Sequence, residues 1–191
     1  MTVKVANETL YYPYPDKIQY MIPDFNEHGN IPIGEFEPTL PEFRTRFVDD
    51  FNTSTTREDL YKNYINYNLF LSTFNVAEKE WVPGSFTSAK IDPEDVDLLI
   101  YIDGIRLITG GEENDFWTIF DPNEIFFTYN CHIQLIVQYP DGDIRNEHYR
   151  HKREYFESCF KKDRSDRPRG IIKFDLLSTQ YKSDLEIEAE V

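Results

Sequence analysis

Two early stretches carry apolar residues at helical spacing, and after Val76 the pattern changes to alternation and short continuous apolar runs. Thr39 and Glu42 stand at capping-box spacing, and Leu40, Phe43, Phe47 and Phe51 then share one face, which predicts a helix from Thr39 to about Asn52. A second helix is predicted after Thr55 and Glu58, with Leu60, Tyr64, Tyr67 and Leu71 as a stripe of core contacts. From Asp95, DVDLLIYID has the length and apolar content of a central strand. FFTYNCHIQLIVQY, residues 126–139, reads as a second and longer strand, closed by a turn at Pro140-Asp141-Gly142-Asp143. Between them, residues 104–124 break at Gly110-Gly111 and carry Glu112, Glu113 and Asp115, which reads as an exposed loop. Asn146 to Lys162 predicts a charged helix, and GIIKFDL a further strand. Helices first, then strands with one late helix, predict a mixed α/β (α+β) domain.

The two ends differ from this middle. Residues 1–21 are rich in tyrosine and proline, and Pro13 and Pro15 interrupt any helix, so an extended arm is expected there, with residues 22–177 forming the domain. SDLEIEAEV alternates acidic and apolar residues, so residues 178–191 read as an acidic tail or an edge strand. With 191 residues, 40% of them hydrophobic and 16% aromatic, one well-buried core is affordable. Thirty-five acidic against 20 basic residues give a net charge of -15, a surface that repels nucleic acid and anionic membranes. No signal peptide and no 18-residue apolar run is present, so the expected compartment is the cytoplasm. Cys131 and Cys159 are too few for a disulfide framework or a structural zinc site.

Chemistry concentrates in GSFTSAKIDPEDVD, residues 84–97. Strand alternation puts Asp95 and Asp97 on one face, about 6–7 Å apart along the backbone. Two such carboxylates repel each other unless a cation lies between them, and Mg²⁺ or Mn²⁺ takes carboxylate oxygens together with substrate phosphates. Gly84 permits close approach to a phosphate, Ser85 offers a hydroxyl and an N–H, and Lys90 could neutralise charge, although a solvated loop lysine is an equal reading. These are the parts that hold a metal-triphosphate for in-line attack at the α-phosphorus.

A small-residue pair, nine intervening residues, then Asp95-Val96-Asp97-Leu98 resembles the signature of the DNA polymerase β-like nucleotidyltransferase superfamily. Over residues 22–177 the chain resembles more narrowly a bacterial nucleotidyltransferase-like family, formerly a domain of unknown function, through PDFNEHGNIPIGEFEPTLPEF, GSFTSAKIDPEDVD and YFESCFKKDRSDRPRGIIKFDL. The resemblance implies a small, mixed, twisted sheet flanked by helices. It also implies triphosphate contacts from Gly84 and Ser85, and Asp95 and Asp97 as ligands of one or two Mg²⁺ (or Mn²⁺) ions with an NTP as substrate. The implied reaction moves a nucleoside monophosphate to a hydroxyl of a protein or small molecule, nucleic acid being disfavoured by the charge. The superfamily also appears in toxin-antitoxin and antiviral systems, so a catalytically degenerate module binding nucleotide or a protein partner is the alternative. The N-terminal arm, with its tyrosines and prolines, is a third candidate for partner binding.

Active members of the superfamily use a third carboxylate on a neighbouring strand. The corresponding strand here, CHIQLIVQ, presents His132, Gln134, Ile136 and Gln138 on its polar face and no acid. His132 could act as base or ligand near neutral pH, or be a hydrogen-bonded structural histidine. Asp141 and Asp143 could reach in from the following turn. Arg164, Arg167 and Arg169 in DRSDRPRG form a basic cluster that could bind nucleotide, or a surface turn with internal ion pairs. His28, His148 and His151 lack a third ligand of suitable spacing and are read as structural.

Overall fold

The computed structural model describes residues 22–110 and 113–190. Its architecture is a five-stranded mixed sheet with helices on both faces, the α+β class expected from the element order. The strands are β1 (Glu35–Phe36), β2 (Ala77–Val82), β3 (Val96–Asp103), β4 (Cys131–Gln138) and β5 (Ile171–Asp175), in the order β1-β5-β2-β3-β4. β3 and β4 run parallel, as do β1 and β5, while β2 is antiparallel to both its neighbours.

The first two helices follow the apolar stripes. α1 (Leu40–Phe47) carries the capping box read from Thr39 and Glu42, with the Thr39 N–H donating to Glu42 Oε2 at 2.8 Å and the Glu42 N–H to Thr39 Oγ1 at 3.3 Å. It stops at Phe47, and a single 3-10 turn at Asp49–Phe51 completes the segment. α2 (Arg57–Ser72) begins after its N-cap Thr56, whose side chain makes no cap bond; Ser54 Oγ instead accepts from the Arg57 N–H at 3.2 Å. Thr55 is engaged elsewhere, its N–H donating to Asp92 at 2.7 Å.

Three stretches depart from the pattern reading. Residues 104–124 are largely helical, as α3 (Gly104–Thr109), α4 (Glu113–Ile119) and the start of α5 (Pro122–Tyr129). Asp103 caps α3 through the Ile105 N–H at 2.8 Å, and Phe116 and Phe120 stack at 4.3 Å inside an aromatic cluster with Phe70 and Phe74. Those rings, not the acidic residues, decide the segment. The predicted long strand therefore loses its first four residues to α5, which Asp121 caps and Asn130 ends in the left-handed conformation at φ 50°. The C-terminal segment is a helix, α7 (Thr179–Glu188), and neither tail nor edge strand. Ser178 caps it, and Tyr181 and Leu185, one turn apart, bury against the core, so a period of four overrides the acidic-apolar alternation. α6 (Arg145–Phe160) is the expected charged helix.

Alternation along β3 assigns its two faces. Val96, Leu98, Ile100 and Ile102 enter the main core with α1, α2 and α7. Leu99 and Tyr101 face the other way, where Trp81, Ile136 and Ile171 meet Phe156 and Phe160 of α6. Asp95 and Asp97 lie on the α6 face, at the start of the strand. No helix among the described residues is long and apolar enough to cross a membrane. The proposed N-terminal arm lies outside the described residues.

Candidate functional site

Parallel pairing of β3 with β4 sets Asp97 opposite His132. Asp95, one residue ahead of β3, turns its Oδ2 to within 3.2 Å of His132 Nδ1. One ligand atom from each of Asp95, Asp97 and His132 lies within 4.8 Å of the others, an arrangement that no other three His, Cys, Asp or Glu residues make among the described residues. Phe126 of α5 stacks on the imidazole, with ring centroids 4.5 Å apart and planes 25° from parallel. The left-handed turn at Asn130 returns the chain from α5 into β4, and Asn130 O accepts from the Val96 N–H at 3.0 Å, fixing the two strand ends together.

Gly84 takes part in a way its sequence position did not reveal. Its φ is +81°, and a Cβ there would lie 2.7 Å from Asp97 Cγ and 2.9 Å from Asp97 Cβ, with Oδ2 closer still. The space that the glycine leaves open is filled by the Asp97 carboxyl, so the group approaching its backbone is that carboxyl. Burial raises the pKa of Asp97, and repulsion from Asp95 raises it further, against the pull of His132, Arg169 and Arg164. A cation between Asp95 and Asp97 would reverse that balance.

The loop between β2 and β3 is shaped by a residue with no motif. Arg57, at the start of α2, is almost fully buried, and its guanidinium donates to five carbonyls: Phe47 at 2.6 Å, Phe86 at 2.7 Å, Ser88 at 2.8 Å, Ile91 at 3.1 Å and Lys90 at 2.5 Å. It also lies 3.7 Å from the Phe51 ring centroid. Burial lowers its pKa to about 10, still charged at neutral pH. Four fixed carbonyls make the 86–91 loop a rigid continuation of the Gly84-Ser85 turn, and the fifth bond ties it to Phe47 at the end of α1.

The three landmark segments, far apart in sequence, line one cavity of about 600 Å³. His28, Gly29 and Asn30 come from the first, Gly84, Ser85, Lys90 and Asp97 from the second, and Lys162, Asp163, Arg164, Arg167 and Arg169 from the third. Backbone and side-chain bonds tie them together. The Ala89 N–H donates to Gly29 O at 2.8 Å, Asn30 Nδ2 to Asp163 Oδ2 at 2.8 Å, and Arg169 to Thr87 O and Oγ1 at 3.0 and 2.9 Å. Arg169 is buried, and its Nε has no hydrogen-bond partner. Asp163 is held well below the usual carboxylate range; burial opposes this, but the bonds from Asn30, Arg167 and two backbone N–H groups prevail.

The basic cluster contains the internal ion pairs of a surface turn. Arg167–Asp163 and Lys162–Asp166 are internal ion pairs, each at 2.7 Å. Arg169 and exposed Arg164 nevertheless send positive potential to Asp97. Lys90 lines the cavity, with its ammonium 3.3 Å from Glu94. His28, read as structural, is at the cavity wall. Asp141 and Asp143 do not complete the site: they follow the far end of β4, more than about 20 Å from His132 at about 3.3 Å per residue, and Asp143 is engaged with Arg145 at 2.6 Å. His148 and His151 lie on α6 outside the cavity.

The model of a family of unknown function (DUF6932) matches residues 23–175. The chain belongs to that family. The matched span contains the entire cavity lining and the Asp95, Asp97 and His132 group, and ends before α7. No curated protein and no solved structure matches the chain.

Proposed function

We propose that this cavity is the site of a divalent-metal-dependent nucleotidyltransferase, which moves a nucleoside monophosphate from an NTP to a hydroxyl of a protein or small-molecule acceptor. The observation that carries the reading is the convergence on one cavity of a Gly-Ser turn, the Asp97 carboxyl with Asp95 and His132 grouped beside it, and a basic wall containing a buried arginine with a free N–H. The residues fit a divalent ion. Asp95, Asp97 and His132 supply donors suited to one, and the space left by the missing side chain of Gly84 lets the Asp97 carboxyl enter.

Asp95 and Asp97 would hold Mg²⁺ or Mn²⁺, which when bound neutralises phosphate charge and orients the triphosphate. Ser85, Arg164 and Arg169 line the volume a triphosphate would fill, where the Ser85 N–H and hydroxyl would be its donors. In the reaction the acceptor oxygen attacks the α-phosphorus in line, the bond to the bridging oxygen of the β-phosphate breaks, and pyrophosphate leaves with the electron pair. The acceptor's proton departs to solvent at the open edge of the site, where the His132 side chain is 58% exposed.

A specific observation favours a second reading. The β4 position opposite Asp97 carries histidine where active superfamily members place an acid, which supports a module that binds nucleotide or a protein partner without transfer. Thermal shift with each NTP and Mg²⁺ or Mn²⁺ tests binding, and labelled NTP incubated with cell lysate tests transfer. The enzyme reading expects both, and expects the Asp95→Ala, Asp97→Ala double variant to lose both. Transfer that survives the double substitution overturns the site assignment.

A further inference from the structure

We propose that His132 is a nitrogen ligand of the metal held by Asp95 and Asp97, and that it makes the site selective for Mn²⁺ over Mg²⁺. This rests on the reading of the Asp95 and Asp97 pair as a metal site, and not on nucleotide transfer.

The donor set is two carboxylates and one imidazole. Mg²⁺ is a hard ion that loses water reluctantly and prefers an all-oxygen shell, whereas imidazole binds Mn²⁺ and later divalent ions more readily. The geometry makes His132 a ligand position and not a bystander. Its Nδ1 and Asp95 Oδ2 are 3.2 Å apart, close to the roughly 3 Å that separates adjacent ligands around an octahedral ion with bonds of about 2.1 Å. Asp97 stands across the pair in register, with its own ligand oxygen inside the same 4.8 Å group. The ring is held from behind by Phe126, whose stacking at 4.5 Å restricts rotation of the imidazole away from the carboxylates. A histidine kept only for structure would bury its ring or bond its nitrogens to backbone. This one is more than half exposed, and among the described residues its ion-pair partner is the carboxylate of Asp95.

Substituting His132→Asp converts the set to three carboxylates and is tolerated by an exposed position. Direct titration of the nucleotide-free protein with Mn²⁺, followed by loss of the free-ion EPR signal, and with Mg²⁺ in competition, gives the Mn²⁺/Mg²⁺ affinity ratio. The ratio is expected to be high in the wild type and to fall by roughly tenfold or more in His132→Asp, as removal of one nitrogen ligand requires. An unchanged ratio overturns the proposal. Pulsed EPR of the wild-type Mn²⁺ complex needs no variant: nitrogen coupling from a directly bound imidazole is expected, and its absence also overturns the proposal. These results are independent of transfer: a nitrogen-ligated, Mn²⁺-selective site that transfers no label leaves this inference standing and removes the nucleotidyltransferase reading. Label transfer with no nitrogen coupling does the reverse.

Discussion

Gly84→Ala should separate the glycine's structural cost from its role at the site. The substitution places a side chain at φ +81°, a left-handed conformation that costs roughly 1–2 kcal/mol for a residue with a Cβ. It also forces that Cβ against Asp97, whose Cγ and Cβ would be 2.7 and 2.9 Å away, so the Asp97 carboxyl must swing out of its place or the turn must open. Overpacking of this kind adds about 1–3 kcal/mol, for a combined loss of about 2–5 kcal/mol. Asp97→Ala alone behaves differently. It removes a carboxyl whose ionised form is disfavoured by burial and by Asp95, so stability should hold or rise, as is common where a group is kept for function. Combining the two removes the closest contacts, those with the carboxyl, and leaves the 2.9 Å approach to the retained Asp97 Cβ together with the backbone strain. The double variant should therefore be more stable than the sum of the single effects by about 1–3 kcal/mol, a coupling that urea denaturation of the four proteins reads directly. Additivity within about 0.5 kcal/mol would refute the claim that Gly84 is a glycine because of Asp97.

Three further outcomes follow from the packing. Glu80, fully buried on β2, accepts from Tyr64 and Tyr181, and burial raises its pKa from 4.5 to about 7 although those bonds pull it down. Because the folded state binds the proton more tightly, the protonated carboxyl contributes stability below about pH 4.5 that is lost as pH rises through 7. The rise corresponds to about 3 kcal/mol at roughly 1.4 kcal/mol per pH unit. Denaturation at a series of pH values should show the wild-type advantage over Glu80→Gln shrinking from pH 5 to pH 8, and a flat difference would count against it. Arg57→Met strips the 86–91 loop of four bonds to a charged donor, and Phe47 of a fifth, and should lower stability by about 3 kcal/mol or more; a loss under about 1 kcal/mol in urea melts would show that the loop holds itself. Thr39→Ala removes the capping box of α1 and should cost about 1 kcal/mol, without effect on metal affinity.

The sequence announces those parts of the site whose chemistry is local. Asp95 and Asp97 alternate on one strand, and Gly84-Ser85 is a turn, so spacing alone places them together. The register that brings His132 opposite Asp97 is a property of parallel pairing between β3 and β4, and it is legible only with CHIQLIVQ placed as the neighbouring strand. Arg57 left no signal, because its partners are backbone carbonyls of a distant loop and any sequence there supplies them. Asn30 and Asp163 were silent for a similar reason: each is an ordinary turn residue until the fold sets them 2.8 Å apart. In the fold, residues 104–124 read as a loop from the Gly110-Gly111 break and their acidic residues, 126–129 as the start of a strand, and 178–191 as a tail or edge strand from local alternation, whereas the caps at Asp103, Asp121 and Ser178 start helices in all three.

The central claim is that nucleoside monophosphate, not the terminal phosphate, leaves the NTP at this cavity. Parallel incubations of the protein and Mn²⁺ or Mg²⁺ with cell lysate, one with NTP labelled at the α-phosphate and one at the γ-phosphate, test it most directly. The account predicts stable label on an acceptor from the α-position only, and none in the Asp95→Ala, Asp97→Ala variant. Label arriving from the γ-position, or none from either with the wild-type protein, would contradict it.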